Sequence, residues 1–115
     1  MAGTPCMQIK ERTLVEGTSS VYGINIVYAY DDTSFSIMMY TNSTTQNLVN
    51  GDTLLELPII PCVSAFFTCN NNTLSMYMFQ FIDTGDNKGA VKVSNAVSSG
   101  SAIRAYVCGM HKGLS

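Results

Sequence analysis

Residues 69–81 read CNNNTLSMYMFQF, and the strand at their centre sets the problem of the fold. Asn70-Asn71-Asn72 favours a turn, because Asn tolerates positive φ and hydrogen-bonds its own backbone. The strand expected after it carries bulk on both sides: Leu74, Met76 and Met78 alternate with Tyr77, Phe79 and Phe81. Side chains alternate across a strand, so a sheet with one wet face shows polar residues at every second position. This strand has no such phase and predicts packing on both faces. One face fits a sandwich interior; the other needs a neighbouring subunit or the chain's own long loops. On the subunit reading Met76, Tyr77, Met78 and Phe79 are the candidate oligomer-interface residues. Obligate interfaces resemble a divided core, and Met adapts to such surfaces.

Outward from this strand, short β-rich segments alternate with turn clusters along the whole chain, the pattern of a sandwich or barrel. Strands are expected over 7–12, 21–30, 34–40, 53–60, 62–69, 74–81, 90–95 and 101–110. In VYGINIVYAY, residues 21–30, Tyr22, Ile24, Ile26, Tyr28 and Tyr30 form a large face opposite a small one. Pro58 and Pro61 argue for an edge or a bend rather than a central strand at 53–60, since Pro cannot donate to a ladder. Turns are expected at 31–33 and 83–89, and an exposed loop over 41–52 ends in an Asn-Gly-Asp turn signal, with a short helical turn there as an option. The fold class is therefore all-β: a single-domain antiparallel β-sandwich or jelly roll of about eight strands, spanning residues 1–115.

Charged residues make up 12% of the chain, about half the usual share, and Ser, Thr and Asn take their place. Six Lys and Arg against eight Asp and Glu leave a net charge of −2, which argues against a phosphate-binding surface. No apolar run approaches the ~18 residues of a membrane span. Residues 1–5 lack the basic and apolar regions of a signal peptide.

The four cysteines, Cys6, Cys62, Cys69 and Cys108, form no C-x-x-C, and one His accompanies them, so no metal site is expected. Each lies in or beside an apolar run, which predicts buried reduced thiols, with a bridge as the alternative. His111 is expected to be an exposed terminal side chain, and no nucleophile pairs with it.

One peptide carries a catalytic pattern. Phe81-Ile82-Asp83-Thr84-Gly85 resembles the active-site segment of aspartic proteases, whose small homodimeric members pair one such Asp from each subunit. Asp86 departs from the Ala or Ser of that family, and Val107-Cys108-Gly109 matches its downstream segment only loosely. The same residues make good turn chemistry. Asp83, Asp86 and Asn87 also offer oxygens to calcium, but at spacings unlike an EF-hand and without its closing Glu. No catalytic residue and no cofactor is expected.

Six Tyr and no Trp among Asn, Ser and Thr suit neutral polar recognition, Tyr offering an apolar ring and a hydroxyl; the alternative is strand Tyr with tips in water. The loops supply the candidate ligand-binding residues: Asp31, Asp32, Asn42, Thr44, Gln46, Asn47, Asp83, Asp86 and Asn87.

With its neutral composition, its short strands and the closing segment SAIRAYVCGM at 101–110, the chain resembles the head domains of phage and viral receptor-binding fibres. That resemblance implies a non-enzymatic β-sandwich homotrimer at the virion surface, assembled in the host cell without a signal peptide. It implies binding of a cell-surface glycan or protein receptor, and residues 1–115 as the C-terminal head of a longer fibre; the acidic charge balance argues against nucleic acid and the short apolar runs against membrane insertion. Two alternatives stand beside it: a structural virion protein (capsid decoration or tail component) without glycan binding, and a dimeric aspartic protease using Asp83-Thr84-Gly85.

Overall fold

The computed structural model describes residues 14–69 and 76–112. Eight strands follow one another: β1 (Val15–Val21), β2 (Ile24–Tyr30), β3 (Ser34–Thr41), β4 (Thr53–Leu57), β5 (Ala65–Cys69), β6 (Met76–Gly85), β7 (Lys88–Val93) and β8 (Ile103–Met110). They form two four-stranded antiparallel sheets, β1-β2-β3-β8 and β4-β7-β6-β5, packed as a β-sandwich. The first sheet is a meander closed by the last strand. The second is a Greek key, with the β5-β6-β7 meander flanked by β4. As expected from its prolines, β4 lies at an edge.

Alternation builds the interior. Ile24, Ile26 and Tyr30 of β2, Phe35, Ile37 and Met39 of β3, and Ile103, Ala105 and Val107 of β8 turn inward from the first sheet. Leu55, Leu57, Phe66, Tyr77, Phe79, Val91 and Val93 meet them from the second. Phe66 stacks on Phe79 at 5.2 Å, and Phe81 packs edge-on to Phe35 at 5.6 Å, so the aromatic layer spans both sheets.

The segment 21–30 is two elements rather than one strand. Val21 pairs with Ile24, and the chain reverses at Tyr22-Gly23, both with positive φ (54° and 80°). Such a two-residue reversal matches the twist of the strands it joins. The signal was concealed because Tyr occupies a position usually held by Asn, Asp or Gly. β1 pairs antiparallel with β2, and the Tyr28 ring lies over its register partner Gly17, where a Cβ would overlap it. A second two-residue turn, Asp86-Asn87 (φ 53° and 60°), joins β6 to β7, so β6 runs on through Asp83-Thr84-Gly85. No helical turn occurs over 41–52. The strand expected over 7–12 and the asparagine turn at 70–72 lie outside the described residues.

His111 corrects the expectation of an exposed terminus. It is 5% exposed. Its amide donates to the Thr33 carbonyl, and its Nε2 lies 2.7 Å from the Asp31 carbonyl, an acceptor only, which assigns the proton to Nε2. The Lys112 amide then donates to the Ile60 carbonyl. The end of β8 is thus tied to both the β2–β3 turn and the β4–β5 connection. Cys62 and Cys108 are free and exposed, not buried, because Cys108 falls on the outward phase of β8 and Cys62 in a surface connection.

Candidate binding face

The outward phase of the first sheet is built from register. Val27 pairs with Met38, and Met38 with Tyr106, so one row of large apolar side chains crosses β2, β3 and β8. Tyr40 lies one row away beside Arg104, and Met110 ends β8. All five large apolar residues on this face are substantially exposed, Met38 at 41% and Tyr106 at 65%. Scattered exposed apolar residues are ordinary, whereas a contiguous set marks an interaction surface.

Two shallow grooves run over this face. The larger, about 500 Å3, is lined by Met38, Tyr40, Asn42, Arg104 and Tyr106. The other, about 420 Å3, runs over Ala29 and Ser36 between Glu16, Thr18 and Tyr106. Arg104 is held in place before any ligand arrives. Its Nη1 donates to the Thr41 and Ile103 carbonyls at 2.6 and 3.0 Å, and its Nη2 to Asn42 Oδ1 at 2.5 Å. Two aromatic rings, one ordered guanidinium and an amide therefore share one depression, the composition of a recognition site.

The candidate loop residues divide by what they already bind. Asp31 Oδ1 accepts from the Thr33 and Ser34 amides and the Ser34 hydroxyl, closing the β2–β3 turn. Thr44 is 2% exposed and fixes the 98–101 segment by donating to the Ser98 carbonyl and accepting from the Ser101 amide. Asn47 Oδ1 accepts from the Ser99 amide, and Asp83 Oδ1 from the Gly85 amide. Asp86 and Asn87 form the β6–β7 turn, and Asp32 and Gln46 flank their loops. Of the nine, Asn42 alone lines either groove. Asp83 sits on an exposed strand end beside a bulge. Among the described residues no three His, Cys, Asp or Glu side chains gather to hold a metal, and no helix is long and apolar enough to cross a membrane.

The candidate interface residues also divide. Tyr77 and Phe79 are core, while Met78 is half-buried on the outward side of β6 beside Phe67; the side chain of Met76 lies outside the described set. Sequence reasoning missed Met38, Tyr40, Arg104 and Tyr106 as a group. Each was visible in an alternating strand, but their adjacency depends on β3 pairing with β8, more than sixty residues later in the chain. No family model, curated protein or solved structure matches the chain.

Proposed function

We propose that the chain is a non-enzymatic, homo-oligomeric binding head that assembles through the outward face of β1-β2-β3-β8 and meets its target with its loops. One observation carries this reading: five large apolar side chains stand exposed on a sheet whose strands hold only two charged residues. A cell-surface glycan or protein is the target class of the viral and phage fibre heads it resembles, and those heads are trimers at the virion surface.

The loop chemistry favours a second reading, a structural virion component without a glycan ligand. Asp31, Thr44, Asn47 and Asp83 already spend acceptors on the fold's own amides, which leaves fewer groups for sugar hydroxyls. Light scattering on the wild type and Met38→Lys tests the assembly: the wild type is expected as an oligomer and the variant as a smaller species. A wild-type monomer at every concentration sinks it. A glycan array probed with the oligomer separates the two readings, silence at high avidity selecting the structural one.

A further inference from the structure

The only charged residues in the four strands of the first sheet are Glu16 on β1 and Arg104 on β8, both exposed on the outward face. The register sets them at opposite corners. Glu16 shares a row with Ala29, Ser36 and Cys108, and Arg104 shares one with Tyr40, Asn25 and Ser20. Three strand spacings of ~4.8 Å separate β1 from β8, and four residues at ~3.4 Å separate the rows, so the corners bound a square about 14 Å on a side. Ser20 and Cys108 occupy the other two corners.

We propose that the occupant of this face is a second copy of the same face, turned about a two-fold axis along the Ser20–Cys108 diagonal. The proposal rests on the assembly reading above and adds its partner and geometry. Rotation about that diagonal exchanges the remaining corners, so Glu16 of each copy meets Arg104 of the other, twice. The strands of the two copies cross near a right angle, one of the two ways in which sheets pack. Size matches as well as charge. The rotation carries each Tyr106 over Ala29 and Ser36 of the second copy, the small floor of the 420 Å3 groove, and sets Thr18 against Asn25 and Tyr40. Val27 and Met38 stay at the centre. Arg104 remains able to receive a carboxylate, because three N–H groups are engaged and Nε and one Nη2 hydrogen are not. A two-fold interface is self-complementary, which this diagonal satisfies; a three-fold interface joins two different surfaces and makes no use of it.

The covered square, about 400 Å2 per copy with side-chain margins, is small against the ~800 Å2 per partner of a standard interface, so the association is a weak, concentration-dependent one. Sedimentation from about 1 µM to about 1 mM reads it. Glu16→Arg alone or Arg104→Glu alone creates two like-charge contacts and is expected to weaken the dimer at least about tenfold, while the double exchange restores it. Glu16→Arg carries the test even where Arg104→Glu loosens the loop held by Asn42. Cys108 lies on the axis. Facing sheets lie about 10 Å apart, too far for a direct S–S bond. A bis-maleimide of about that span, adding one Cys108 thiol across each of its two C=C bonds, is therefore expected to give a covalent dimer that Cys108→Ser abolishes and Cys62→Ser does not. Single exchanges without effect, a double no better than the singles, a trimer, or a cross-link indifferent to Cys108→Ser each overturn the crossed dimer. If Met38→Lys dissociates the assembly while the charge exchanges do nothing, the assembly reading survives and this geometry falls. If Met38→Lys is also silent, both fall.

Discussion

The two outward faces of the sandwich come from strands that are both rich in apolar residues, but the second sheet's strands hold four charged residues against two in the first, and the faces meet water differently. On the first sheet the row Thr18–Val27–Met38–Tyr106 runs across four strands without a charge. On the second, Lys92 lies between Gln80 and Thr53, and Glu56 and Lys88 stand 4.0 Å apart at half-exposed positions. That ion pair adds little stability, as exposed pairs seldom do. Its effect is on solvation: charges on β4 and β7 interrupt the apolar surface that Ile82 and Met78 offer from β6. Phe67, 57% exposed, is left near the β5 edge. The placement of charge, rather than the number of apolar residues, separates the two faces among the described residues.

The comparison can be broken first at the layer both faces share. Phe79 is fully buried and stacked on Phe66. Phe79→Ala is expected to cost about 3–5 kcal/mol, read as a lowered urea midpoint, and a loss under ~1 kcal/mol contradicts the shared aromatic layer. A smaller break is confined to the first sheet. Gly17→Val forces Tyr28 off its seat and is expected to cost about 1–3 kcal/mol in thermal or urea unfolding. Next, Met38→Lys and Ile82→Lys put the same charge on opposite faces. Both are expected to change monomer stability by no more than ~0.5 kcal/mol. Gel filtration is expected to show association lost in the first and unchanged in the second; equal behaviour of the two erases the distinction between the faces. The smallest effect sharpens it. Lys92→Val removes the central charge of the wet face and is expected to leave stability within ~0.5 kcal/mol while raising self-association in light scattering.

Much of this fold was legible in the strands. The phases of β2, β3 and β8 were readable from alternation, and the prolines after β4 placed it at an edge. The hairpin at Tyr22-Gly23 was not, because Tyr at φ 54° is an unusual turn residue and the apolar alternation runs straight through it. The double-sided bulk of β6 resolves into an interior side, with Tyr77 and Phe79, and an outward side, with the half-buried Met78. The outward residues of β6 are diluted by neighbours that the local sequence does not name. His111 and Cys108 show the same limit. A terminal His became a buried tie because it meets the Thr33 and Asp31 carbonyls, and a Cys in an apolar run became exposed because the run alternates.

What the sequence by itself determined is the β character, the inward phase of most strands and a surface poor in charge, since all three follow from residue type and a period of two. Only the tertiary structure decided which strands became neighbours. Local periodicity carries no information about partners sixty residues away. The pairing of β3 with β8 therefore placed Met38 beside Tyr106, turned Arg104 and Glu16 into opposite corners of one square, and left five large apolar side chains exposed on that face among the described residues.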